Sequence, residues 1–298
     1  MKQYLKSVFN FSILLIAVLS IYIYIVSEKV PTHFKYQRIA ELKTSELIIT
    51  GSSHALMGIN PNRLLQRSSN IAEINKPIVV DLSIIKTYRK SLPALKYVIL
   101  PIDYFTLFFS GETEHYNKRY WHHWGIHKEG ISKWHVNDCY LETPFDLFAE
   151  KKEPLSNHSI QSGKWSKFSD KIKDKLASNR IDIWHKTWMD FHAKDSIAKA
   201  IEDFIVFCQN EGIQVILIEM PVPKVTQSYM KAEYLNFTSD FIKEVKQKYS
   251  VMHIDFKQYE ALQSDTLFAD ADHLNKQGAE RLTDSLKQSL MSLTQARN

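Results

Sequence analysis

Leu47-Ile48-Ile49-Thr50-Gly51-Ser52-Ser53-His54 is the stretch that decides how this chain folds. Four apolar or β-branched residues make a run too short for a helix, and a glycine follows at once. Such a run, bounded by a turn signal, reads as a buried strand of a parallel sheet. Gly51 permits a sharp turn, and two hydroxyls stand just beyond it. The carboxyl end of a first parallel strand is where an α/β sheet displays its working side chains. Gly-Ser-Ser has a plainer use as well, in which Ser52 or Ser53 only caps the segment after the strand.

Outward from this stretch, Ile78–Leu82, Tyr97–Leu100, Val215–Glu219 and Val251–Asp255 read as the remaining strands. Helical spacing lies between and after them. One set is Ile197, Ile201, Phe204, Ile205 and Cys208, closed by Gly212. Others are Phe237, Phe241, Ile242, Val245 and Tyr249, and Ala279, Leu282, Leu286, Leu290 and Leu293. Strands alternating with helices predict an α/β fold, a flavodoxin-like three-layer sandwich with a central parallel five-stranded sheet. About 110 residues separate the third strand from the fourth, too many for a bare loop. A large insertion with helix of its own is therefore expected at about residues 106–192. Its stretch from His115 to His135 holds His115, His122, His123, His127, His135, Trp121, Trp124 and Trp134. Sugar stacking, a structural cap and a metal site are three uses for such a segment. Adjacent His122 and His123 make joint ligation from a regular element awkward, and no metal or other cofactor is expected.

Val8 to Val26 runs for 19 residues without a charge, close to the ~20 that span a bilayer. Tyr22 and Tyr24 suit a membrane interface, and the bulky exit lacks the small residues of a signal-peptide cleavage site. The expected organisation is a cytoplasmic tail and transmembrane anchor over 1–26, a linker over 27–43, and one domain over 44–298. The lysines on either side do not fix orientation. The short N-terminal tail favours a cytoplasmic N-terminus with the domain periplasmic or extracellular, on a bacterial inner or plasma membrane. The net charge of +5 is small for 298 residues and its Lys and Arg are scattered, which gives nucleic-acid binding no support. Two cysteines, Cys139 and Cys208, make no disulfide framework. Cys208 lies on an apolar helix face and reads as core.

The second chemical signal is Phe268-Ala269-Asp270-Ala271-Asp272-His273-Leu274-Asn275, whose first aspartate comes 217 residues after Ser53. An Asp three residues before a His on a loop can fold back so that its carboxylate takes imidazole Nδ1. Nε2 is then left facing a hydroxyl. That offset selects Asp270. Asp272 adjoins His273 and is expected to point to the other side. Asp272 and His273 also have a plainer reading as loop polarity. Asn275 is a good N-cap for the last helix.

Taken together, a Ser after the first strand and D-x-x-H before the last helix resemble the SGNH (GDSL-type) hydrolase superfamily in chain order. The Gly51-Ser52-Ser53 form, with an N-terminal anchor, is most similar to the branch holding the D-alanyl transfer protein DltD of teichoic acid synthesis. The alginate O-acetylation proteins AlgJ and AlgX belong to the same wider group. The resemblance covers roughly residues 45–105 and 213–293. It implies Ser53 as nucleophile, His273 as base and Asp270 as its orienting carboxylate. The implied activity is that of a membrane-anchored O-acyltransferase on a cell-envelope polysaccharide, partnered by a multi-spanning membrane O-acyltransferase that exports the acyl group. A carbohydrate O-acetyl esterase and an inactive glycan-binding or scaffold subunit are the rivals. The family draws oxyanion donors from a Gly and an Asn. This chain has Asp81-Leu82-Ser83 and Pro101-Ile102-Asp103-Tyr104 in those blocks, and an anionic Asp103 is a poor donor. The backbone N–H groups of Ser53 and Ser83 are the expected substitutes. His54, Asp103, Tyr104, Trp121 and Trp124 are the expected substrate contacts.

Overall fold

The computed structural model describes residues 2–24, 38–64, 67–111, 120, 124–126 and 163–295. The chain divides into one unit of residues 1–38 with 112–152 and a second of 39–111 with 153–298. In the first, helix α1 spans Lys2–Tyr24. Its stretch Gln3–Tyr22 has a mean hydropathy of 1.9, none of it is buried, and it is long and apolar enough to cross a membrane. The Arg38 guanidinium lies 4.8 Å from the centre of the buried Trp124 ring, a cation–π contact that occupies a face expected to meet sugar. Trp121, Trp134, Cys139, His115, His122, His123, His127 and His135 lie outside the described residues.

The second unit holds a five-stranded, all-parallel sheet. Its strands are β1 Leu47–Ile49, β2 Ser68–Asn70, β3 Tyr97–Pro101, β4 Gln214–Glu219 and β5 Met252–Asp255, in the order β2-β1-β3-β4-β5. Leu47 pairs with Ser68 on one side and with Tyr97 on the other; Tyr97 pairs with Gln214, and Ile216 with Met252. This is the flavodoxin-like order, whose direction of winding reverses between β1 and β3. The larger helices are α2 Ser53–Gly58, α3 Ile78–Tyr88, α4 Asp170–Ile183, α5 Lys194–Asn210, α6 Ala232–Tyr249 and α7 Lys276–Gln295.

Side chains alternate across a strand, and here they serve two layers. Leu47, Ile49, Ile99, Ile216 and Ile218 pack with Ala55 and Ile59 at and just beyond α2, and with Leu282, Leu286 and Leu290 of α7. Ile48, Val98, Leu100 and Leu217, all fully buried, take the opposite face, where α5 packs on β4 and against α3. Cys208 sits in the α5 core stripe, as its spacing predicts, and burial pushes its thiol up to about 12. Gly212, at φ +70°, ends that helix.

One expected strand is a helix. Ile78–Leu82 opens α3, entered from Pro77 in extended conformation. A short apolar run buried on several sides looks the same in either state, and Ile78, Val80, Leu82, Ile84 and Ile85 are all buried. The second strand is instead Ser68-Ser69-Asn70, polar and on the sheet edge, with no apolar pattern to announce it. A Ser45 Oγ to Ser69 Oγ hydrogen bond of 2.7 Å ties it to the residues before β1.

Because α1 contributes no buried surface over Gln3–Tyr22, a chain starting at residue 27 is expected to stay in the aqueous phase without detergent. It should melt in one cooperative transition. A featureless melt would show that the helix holds the fold.

Candidate active site

The site starts at the turn after β1. Gly51 has φ +116°, and a Cβ there would lie 3.0 Å from Pro101 Cγ and 3.3 Å from Ala55 Cβ. Its N–H donates to Asp81 Oδ2 at 2.9 Å, and its carbonyl accepts from the Glu73 N–H at 3.1 Å. Asp81 comes from α3 and is paired with Lys76 Nζ at 2.6 Å, both side chains fully buried. Burial lifts the Asp81 carboxyl to about 6 despite Lys76 and the Gly51 N–H. The segment expected as a strand thus supplies, as a helix, the anchor for the turn.

The two serines divide the two uses of Gly-Ser-Ser. Ser52 is the N-cap of α2, and its Oγ accepts from the His54 N–H at 3.4 Å. Ser53 is the first residue of α2, and its Oγ lies 2.9 Å from His273 Nε2. The far end of this helix is tied down by Asn70, whose Nδ2 donates to the carbonyls of Ala55 and Ile59 at 3.0 and 3.1 Å. No periodicity or motif in the sequence singles out Asn70.

The loop carrying His273 is closed by its own backbone. Ala269 N–H donates to the His273 carbonyl, and Asn275 N–H to the Leu267 carbonyl. Asn275 Oδ1 accepts from the Gly278 N–H at 3.1 Å, the N-cap bond expected of it. Asp270 Oδ1 accepts from the N–H groups of Asp272 and His273 at 3.0 and 2.8 Å. This fold-back sets both its oxygens 3.0–3.1 Å from His273 Nδ1. Ser53, His273 and Asp270 therefore lie in one hydrogen-bonded line.

Asp272 does not point away. Its Oδ1 is 3.2 Å from the same His273 Nδ1 and 3.1 Å from Arg180 Nε of α4. Its Oδ2 is 3.3 Å from His54 Nε2. The loop is tightly wound rather than extended, so the rule of alternating sides fails there. Buried as it is, Asp272 stays ionised, because His273 and His54 hold its carboxyl well below the usual range against the desolvation that would raise it. Arg180 sits in the insertion, where no motif marks it.

His54, expected as a substrate contact, is instead 5% exposed and clamped. Its Nδ1 is 3.1 Å from Asp103 Oδ2. Phe105 and Trp184 flank its ring at centroid distances of 5.3 and 6.0 Å. Burial works against its charge, but the carboxylates of Asp103 and Asp272 prevail and push it up to about 10. Asp103 Oδ1 also accepts from the Met220 N–H at 3.3 Å. The Tyr104 hydroxyl accepts from the Lys231 N–H at 2.9 Å and bonds His185 Nε2 at 3.0 Å. His54, Asp103 and Tyr104 share one wall of a cavity of about 270 Å³, with Glu219, Asp255 and Lys257 also on its lining.

Ser83 takes no part. It lies inside α3, where its N–H belongs to the helical ladder and its Oγ donates to the Val79 carbonyl. Its expected oxyanion role depended on a strand ending at Leu82. Ligand atoms of His54, Asp272 and His273 lie within 4.8 Å of one another. They already pair among themselves and with Asp103, Arg180, Asp270 and Ser53, so the arrangement suits proton transfer better than metal ligation.

No protein-family model and no curated protein matches the sequence. Among solved structures, the chain is similar to one described as a proposed acylhydrolase from Bacteroides fragilis NCTC 9343. Identity is 12%, over 86% of this chain and 94% of that one, with a TM-score of 0.44. It is also similar to one described as a proposed platelet activating factor from Streptococcus pneumonia. There the identity is 10%, over 93% and 98%, with a TM-score of 0.44. Likeness at this level carries no argument about activity, which rests on the side chains themselves.

Replacing Asp81 by Asn removes a buried carboxylate from beside the Lys76 ammonium, which costs about 3–5 kcal/mol for a buried pair broken on one side. Thermal melts should show a loss of roughly 10 °C. Lys76→Met with Asp81→Leu should lose less than the single change, since both charges of the pair are then removed together. An unchanged melting temperature for Asp81→Asn would mean the pair does not secure the turn.

Proposed function

We propose that this chain is a membrane-anchored serine acyltransferase that esterifies a hydroxyl of a cell-envelope glycan. The observation that carries the reading is the line Ser53 Oγ, His273 Nε2, His273 Nδ1, Asp270, with links of 2.9 and 3.0 Å. Ser53 attacks the carbonyl carbon of a donor ester while its proton passes to His273 Nε2. The donor C–O bond breaks, and the leaving oxygen takes that proton. The acceptor hydroxyl then gives its proton to His273 and attacks, and the Ser53–acyl bond breaks as Ser53 Oγ takes that proton back.

Asp270 holds the imidazole in the tautomer that leaves Nε2 free to accept. The Ser53 N–H stands at the first position of α2, where a helix does not use its amide, and so is the oxyanion donor within reach. The glycan acceptor and a multi-spanning donor partner come from the resemblance in chain order. The apolar α1 supports the anchor.

A fluorophosphonate probe on the full chain should label Ser53 and spare Ser52, whose hydroxyl is buried as a cap. Peptide mapping that finds the adduct on Ser52, or on neither, would overturn the assignment. With an aryl acetate as donor, an added glycan acceptor should shorten the life of the acyl-Ser53 adduct. A lifetime indifferent to glycan would instead mark a carbohydrate O-acetyl esterase.

Asp270→Asn is expected to slow labelling by about 10²–10³-fold, short of the ~10⁴ of the serine-protease case, because Asp272 remains beside Nδ1. Asp272→Asn should also slow it. Full activity in that variant would restrict the orienting role to Asp270.

A further inference from the structure

His54 adjoins Ser53, and both its ring nitrogens face carboxylates. Nδ1 meets Asp103 at 3.1 Å and Nε2 meets Asp272 at 3.3 Å. Both partners are buried, and a neutral ring could donate to only one of them. Its ring centroid is 5.3 Å from that of His273. Two cations, His54 and Arg180, thus face three carboxylates, Asp103, Asp272 and Asp270, around the base. The surplus is one negative charge when His273 is neutral and none when it holds the Ser53 proton.

We propose that His54 is a positioning residue held as a permanent cation, whose charge keeps the base His273 from being locked in its protonated form. Two carboxylates on one Nδ1 are more than orientation needs. Asp270 and Asp272 both favour imidazolium at His273, and the charge on His54 opposes them, as burial does. Without His54 the surplus beside His273 becomes two negative charges. The imidazole would then keep its proton near neutrality and could not accept one from Ser53.

The groups facing this pair come from every neighbouring element. Asp270 and Asp272 belong to the His273 loop, Asp103 follows β3, and Arg180 reaches in from α4. Glu219, Asp255 and Lys257 share the cavity that His54 lines. Phe105 and Trp184 pack against the ring of His54, which is 5% exposed, so the charge is screened little.

The inference rests on the acyl-transfer reading, and its test separates the two. The full chain, ¹⁵N-labelled at histidine and held in detergent, is titrated by NMR from pH 5 to 9. His54 should stay doubly protonated throughout. In His54→Gln, a neutral donor of similar reach, the His273 titration should move up by about 1–2 pH units. The pH–rate limb for Ser53 labelling should move with it, its alkaline plateau held within a few-fold. A purely structural role would lower the plateau and leave the limb in place. A neutral His54 at pH 7 in the unaltered chain overturns the proposal, as does a His273 titration in His54→Gln that stays put or moves down.

If His54→Gln does not fold, Asp103→Asn decides. It leaves the ring in place but removes one carboxylate, and His54 should then titrate within pH 5–9. A His273 titration blind to the point at which His54 loses its proton overturns the proposal. Both NMR readouts work whether or not Ser53 reacts, so an unlabelled Ser53 sinks the acyl reading alone.

Discussion

Asp272 carries a negative charge at 3% exposure, and the site is organised around making that tolerable. A carboxylate taken out of water is costly unless each oxygen finds a partner. Arg180 and His273 share one oxygen, and His54 takes the other. Those three residues come from α4, the C-terminal loop and α2, so one buried anion fixes the relative placement of three distant pieces of chain. Arg180 and Trp184 also bring the insertion into the chemistry. The segment outside the family resemblance is part of the site.

A second buried pair works on the other side of Ser53. Asp81, paired with Lys76, accepts from the Gly51 N–H, and Asn70 donates to the carbonyls of Ala55 and Ile59. Ser53 therefore sits on a short helix secured at both ends. Its hydroxyl can keep a 2.9 Å contact to His273 because neither the turn before it nor the helix after it is free to drift. The neighbour Ser52 caps that helix, and two identical side chains are separated in role by one position of backbone.

Ser53, Asp270, His273 and Asn275 are legible in the sequence because their relations are local or set by strand order. A strand end exposes its next residues, and a three-residue offset folds a carboxylate onto its own imidazole. β1, β3, β4 and β5 are legible from apolar runs. β2 is not, since Ser68-Ser69-Asn70 is strand only because β1 offers it an edge. Reading Ile78–Leu82 as strand carries Ser83 with it to a strand end it does not occupy. Arg180, Asn70 and the inward turn of Asp272 arise from packing between segments far apart in sequence, which no local pattern encodes.

Ser53 and His273 lie 220 residues apart, and this bears on how the protein is born. A ribosome delivers the serine, its glycine turn and the Lys76–Asp81 clamp early. His273, Asp270 and Asp272 emerge only with the segment that leads into α7. The hydrogen-bonded line from Ser53 to Asp270 is therefore incomplete for most of the synthesis, however well the first strands have paired. The contact between α7 and α2 is what joins the end of the chain, and with it the imidazole, to a hydroxyl near its beginning.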